Sequence, residues 1–260
     1  VQPTPPQQPF APQPLPPGYP VRAVPGVPGG MSKAVLAGLL ASGVLSAVNV
    51  LTMHPHMYTA DGAYSVRVQA FTGITGMVPM ACIVLFLVWF HQVRNVAEYL
   101  APGLQRRRPG WAIGAWFIPV ANLWMPLQVA HDIHAAAHGT RQGPGRGIVN
   151  SWWAAWLASV VMGWALGITM VVQMVRAMVQ LAHAHAMDDP QLVQDYLMRS
   201  IAPPTGLAVA VGAVELAAAG LAAFAVHRIT ADLGGAMARV QAAQPQAPGA
   251  MPPPPPWGQA

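Results

Sequence analysis

Charge is what this sequence most lacks. Only 8% of its 260 residues are Asp, Glu, Lys or Arg, where soluble domains carry about 25%. Hydrophobic residues make up 54%, and mean hydropathy is +0.40. That deficit excludes an ordinary soluble domain. Cysteine is nearly missing too: Cys82 stands alone inside an apolar run, so no intramolecular disulfide forms and the redox compartment cannot be read from it. Catalytic signatures are also wanting. There is no Gly-x-Ser-x-Gly, no glycine-rich phosphate loop, no His-Glu-x-x-His and no cysteine pair. The apolar runs hold neither the paired acids nor the Ser/His pair of an intramembrane protease. These gaps argue against an enzyme and against a bound cofactor.

What charge remains is basic. Thirteen Lys and Arg against eight Asp and Glu give a net +5, and the pI is near 10.0. The positive residues flank apolar segments and form no soluble patch, so a cytoplasmic membrane face accounts for them without nucleic acid.

The apolar runs themselves are Ala34 to Met53, Phe71 to Phe90, Ala112 to Ala130, Val149 to Met174 and Thr205 to Val226. Runs of about 20 residues match a hydrocarbon core of roughly 30 Å. The expected fold is therefore all-α: an integral membrane helical bundle of four to five transmembrane helices. Residues 1–32 and 231–260 read as disordered proline-rich tails around a helical domain at 33–230. Residues 1–30 hold eleven of the 28 prolines, too polar and stiff a composition to bury a core. The C-terminal Pro252 to Pro256 followed by Trp257 could be a ligand for an aromatic-lined groove on a partner protein, but its bland reading, a solvated tail, is the better supported. The first run starts after thirty proline-rich residues, which marks an uncleaved span and not a secretory signal.

Local features add detail. Gly38, Ala41 and Ser42 suit close helix packing, as does Gly163-x-x-x-Gly167. Pro79 falls inside the second run and removes a backbone hydrogen bond there. Residues 54–70 read as a short polar loop. Trp89 and Phe90, and later Trp152, Trp153 and Trp156, read as interfacial aromatic anchors. Beyond Phe90 the helical pattern continues: Val93, Val96, Ala97 and Leu100 form one stripe, with Arg94 and Glu98 spaced i, i+4 on the polar side.

The central run leaves topology open. It is uncharged and long enough to cross, yet Pro119 and Pro126 interrupt it, with Asn122 and Gln128 nearby. A re-entrant segment buried in protein also fits. With the N-terminus inside, a full crossing places 8 Lys and Arg on the cytoplasmic side against 5 outside; re-entry makes the count 10 against 3. The positive-inside bias favours re-entry.

Three groups are candidate sites. His131, His134 and His138 share one side of a helix, and imidazoles so arranged are possible zinc or copper ligands. Their bland reading is histidine tolerated at an interface, and it is the better supported. Glu215 is the sole charge within an apolar run; it serves either as a relay in a transporter or channel, or as a carboxyl bonded to Asn122, Gln128 or a backbone carbonyl. Arg106, Arg107 and Arg108, with Arg94, either set topology or hold anionic lipid headgroups.

One stretch carries a resemblance. HQVRNVAEYL followed by RRRPGWAIGAWFIPVANLWMPLQVAHDI resembles the bacterial membrane family catalogued as domain of unknown function 4328, common in actinomycetes. The matching residues are Trp89, Arg94 or Asn95, Pro109, Gly110, Trp111, Trp116, Phe117, Pro119, Asn122, Pro126, Asp132 and Ile133. His134 departs from the pattern, which usually has tryptophan there. The resemblance would cover about residues 33–230 and implies a bacterial plasma-membrane location; the charge bias separately puts the N-terminus in the cytoplasm. It implies no assigned function. The residues themselves favour a structural, interaction or sensor-like membrane protein, with a small transporter or channel using Glu215 and the proline-broken central helix as the alternative.

Overall fold

The computed structural model describes residues 24–52, 62–184 and 204–243, together with Asp189, Gln191, Val193 and Tyr196. Both low-complexity tails, apart from their inner ends, lie outside the described residues. The chain is an all-α bundle with no strand among the described residues. Its helices are α1 (Gly29–Thr52), α2 (Gly62–Leu100), α3 (Trp111–Gly114), α4 (Met125–His138), α5 (Arg146–His183) and α6 (Thr205–Ala243).

Four of these, α1, α2, α5 and α6, are long and apolar enough to cross a membrane. Helix α6 touches α1, α2, α4 and α5, and is the hub of the bundle. It runs antiparallel to α1: a Cβ added at Gly43 would lie 2.8 Å from the Ala219 Cβ, and further along α1 Ser46 meets the earlier residue Glu215. On its other side α1 packs on α2, where Gly38 faces Cys82. Close backbone approach at small residues is how apolar helices gain van der Waals contact when lipid offers no hydrophobic driving force.

Several boundaries and faces differ from expectation. Helix α2 begins at Gly62, within the stretch expected to be a polar loop, and continues through Pro79 as one helix. Helix α6 extends past residue 230 to Ala243, and Leu233, Ala236 and Met237 are buried, so the helical domain outlasts the expected limit. Gly163 and Gly167 have nothing within 4 Å of an added Cβ; they lie on the outward part of α5 beside exposed Trp164 and Ile168, not at a contact inside the bundle. Trp89, Phe90, Trp152 and Trp153 are buried core residues and not interfacial anchors. Their rings, with Phe86, Trp116 and Trp156, form one contiguous aromatic cluster.

The central run does not cross the bundle. It breaks into α3, a turn, a short 3-10 segment at Ala121–Leu123, and α4. Trp116 reaches Phe86, with ring centroids 5.4 Å apart. Phe86 lies fourteen positions before Leu100, about 21 Å along an α-helix, so the hairpin tip sits deep beside α2. Both flanks nevertheless meet at one end: Arg106 contacts Asp132, and Arg141 donates to the Leu104 carbonyl at 3.3 Å. Both ends of the segment thus lie at one end of the bundle, and among the described residues four helices remain long and apolar enough to cross a membrane.

Candidate functional site

The chemistry-bearing residues gather where the hairpin returns to the basic end. Helix α4 is started by Pro126, near its first turn, and stopped by Gly139, whose φ of 68° supplies the left-handed cap. Residues 132–137 are all buried. Such a helix needs partners for every polar group it carries.

Asp132 supplies the main joint. Its carboxylate is 3% exposed; Oδ2 accepts the Arg106 backbone N–H at 3.0 Å and Oδ1 accepts Arg106 Nε at 2.8 Å. Arg141 Nη1 lies 3.9 Å from the same oxygen, and Gln105 Nε2 donates to the Asp132 carbonyl at 3.1 Å. One carboxylate thus binds the chain before the hairpin to the chain after it. Arg94 is 1% exposed, pairs with Glu98 at 2.6 Å and donates to the Arg107 carbonyl. Buried in protein, Arg94 does not reach a lipid headgroup, because its guanidinium is spent on holding the Arg107 backbone. Arg107 reaches Gln128 Oε1 at 3.4 Å. Arg108 stays exposed and borders a groove with Gly110, Trp111, Gly114 and Ile118.

The remaining residues of the recognised stretch also have defined places. Trp116 is the edge-on centre of the aromatic cluster, against Phe86, Phe90, Trp153 and Trp156. Pro119 is exposed at the hairpin tip, and Pro126 is buried. The Asn122 backbone N–H donates to Ile118 O at 2.8 Å, while its Oδ1 is buried without a partner among the described residues, as is Trp116 Nε1. Trp153 Nε1 donates to Leu123 O at 3.3 Å and ties the tip to α5.

Two of the three histidines come together and one does not. His131 turns to Asn150, with Nε2 2.7 Å from Oδ1. Burial is the main cause that pushes its pKa below the ordinary 6.5, with Arg146 and Arg106 adding to it against the Asn150 bond. His134 and His138 stack with ring centroids 4.3 Å apart. Burial and the neighbouring His138 likewise lower the His134 pKa. Asp232 on α6 stands across from this pair. Sequence spacing alone missed Asp232, because nothing in the sequence links it to positions nearly a hundred residues earlier.

Glu215 is half-buried and accepts a hydrogen bond from Ser46 on α1. It bonds to neither Asn122 nor Gln128: Gln128 is held by Arg107, and those two sit on the hairpin while Glu215 faces α1. A cavity of about 370 Å³, lined by none of Glu215, Asn122 and Gln128, has an almost wholly apolar wall that includes Leu39, Cys82, Phe86, Trp116, Trp156 and Ala222.

Comparison with curated proteins and with solved structures gives no match. The family model described as "Domain of unknown function (DUF4328)" matches residues 54–231. The matched segment contains α2, the hairpin, α5 and most of α6, about two thirds of the 260 residues. On that match the chain belongs to the DUF4328 family.

Proposed function

We propose that this protein is a non-catalytic, multi-pass protein of the bacterial plasma membrane, of interaction or sensor type, with its basic end and N-terminus in the cytoplasm. Its ligand is an anionic phospholipid of the cytoplasmic leaflet. The carrying observation is the division of labour among the arginines: Arg94, Arg106 and Arg107 are engaged by protein groups, while Arg108 is left in the groove beside Trp111. An arginine left free of protein partners recognises a phosphate by charge-assisted hydrogen bonds. The apolar cavity under the hairpin has the dimensions and lining to take part of an acyl chain. The proline-rich tails would supply a second contact, to a protein partner with an aromatic groove.

Transport through Glu215 is the second reading, favoured by an ionisable group well inside an apolar helix. Less supports it. Ser46 satisfies the carboxyl, and Ala218, Ala219 and Ala222, which lead along α6 from Glu215 towards the hairpin, line the apolar cavity.

The test is lipid retention by the purified protein, measured by native mass spectrometry from phosphatidylglycerol and phosphatidylethanolamine mixtures. Selective retention of phosphatidylglycerol, reduced severalfold in Arg108→Gln, is expected. Equal retention of both lipids, or an unaltered Arg108→Gln, overturns the lipid reading. Proton or monovalent-cation flux in proteoliposomes that is lost in Glu215→Gln would replace it with transport.

A further inference from the structure

We propose that His134, His138 and Asp232 form a zinc site that clips the returning arm of the hairpin to α6. One ring nitrogen from each histidine and one carboxylate oxygen all lie within 4.8 Å of one another. His138 Nε2 is 3.9 Å from Asp232 Oδ2. Ligand atoms around a tetrahedral zinc, at about 2.0–2.1 Å from the ion, are about 3.4 Å apart. A small closure of the side chains therefore completes the triangle, with water in the fourth position.

The hydrogen bonds around the rings prepare them for a metal. His134 Nε2 lies 2.9 Å from the Pro144 carbonyl, and His138 Nδ1 lies 2.9 Å from the His134 carbonyl. A carbonyl only accepts, so these nitrogens carry the protons in the neutral rings. The lone pairs are left on His134 Nδ1 and His138 Nε2. Metal-binding histidines characteristically donate their other N–H to a carbonyl or carboxylate in this manner. Two nitrogens and one carboxylate oxygen suit zinc.

The loop over the pair is shaped to it. A Cβ at Gly143 would come within 2.7 Å of the His138 ring, and Gly145, at φ 92°, lies with its Cβ position 3.5 Å from His134 Nε2. Any other residue at 143 would push the His138 ring aside. Arg141 and Arg239 donate to the carbonyls of Leu104 and Ala137, and neither is paired with Asp232. The His138 and Asp232 side chains are 18% and 21% exposed, open enough for an ion to enter from solution. His131, the third histidine of the sequence cluster, is held by Asn150 and stands outside the site. This inference does not rest on the lipid reading.

The experiment is zinc titration of the full-length protein in detergent after chelator stripping, by calorimetry, with cobalt(II) absorption as a second readout. One zinc per chain and tetrahedral cobalt bands are expected, with affinity at least tenfold weaker in His138→Ala and in the near-isosteric Asp232→Asn. His131→Ala should bind as the unsubstituted protein does. No stoichiometric zinc uptake by the unsubstituted chain overturns the site. So does uptake that Asp232→Asn and His138→Ala leave unchanged, or that His131→Ala abolishes.

Discussion

Replacing Asp132 with asparagine tests the joint that defines the hairpin. Asparagine keeps the side-chain volume and one acceptor oxygen, so the Arg106 backbone N–H can stay bonded. It removes the charge that holds the Arg106 guanidinium and attracts Arg141. Removing one member of a fully buried ion pair costs about 3–5 kcal/mol, but the Arg106 side chain is 43% exposed and regains water when released. The cost then approaches that of one charge-assisted hydrogen bond, about 1.5–3 kcal/mol. Asp132→Ala, which also orphans the backbone N–H, should cost about 3 kcal/mol or more. Unfolding of the detergent-solubilised protein, followed by tryptophan fluorescence, reads both values. The Trp116 cluster makes that signal report on the hairpin. A double-mutant cycle with Arg106→Gln should give a coupling of about 1 kcal/mol or more. Single variants within about 0.5 kcal/mol of the parent, or strict additivity in the cycle, would refute the assignment of Asp132 as the joint.

Other outcomes follow from the same geometry. Gly43→Val should destabilise by about 1–3 kcal/mol through overpacking against Ala219. Gly163→Val and Gly167→Val should leave chemical unfolding of the monomer within about 0.5 kcal/mol of the parent. A cysteine at Thr140 in a Cys82→Ala background should resist an impermeant thiol reagent added to intact cells; labelling from outside would contradict a cytoplasmic basic end. His131 has a folded-state pKa below 6.5, so the unfolded chain takes up a proton that the folded one refuses. Its contribution is full above pH 6.5 and is lost as pH falls through the folded value. Melting temperatures should therefore drop on acidification below that pH, and His131→Gln should flatten the slope; an equal slope in both proteins would count against it.

The four long apolar runs were legible because hydropathy over a span-length window is a local quantity. The central run was not, because its fate depends on pairs distant in sequence. Pro119 and Pro126 say that a straight helix is costly, but only Asp132 meeting Arg106, and Arg141 meeting Leu104, say that the two ends come together. The tryptophans were ambiguous for a related reason. Trp152 and Trp153 at a helix start fit an interfacial belt or a core equally well, and the choice is made by Phe86 and Trp116 arriving from elsewhere in the chain. Glu215 stood out as a lone charge, yet its partner Ser46 is 169 positions away and is one serine among several apolar neighbours. Of the histidines, the helical spacing put three on one side; Asn150 and Asp232 then sort them into one structural bond and one pair facing a carboxylate.

The hairpin has a consequence for biosynthesis. An uncharged run of this length resembles a membrane span as it emerges from the ribosome, yet in the folded chain both its ends lie at one end of the bundle. Arg106 to Arg108 precede it, and Arg141 and Arg146 follow it. Positive flanks of this kind bias both ends towards staying on one side. Its partners arrive at different times: α2 is already made when the hairpin emerges, but Trp153, Trp156 and Arg239 come later. Its packing against α5 and α6 can be completed only after the C-terminal half of the chain has been made.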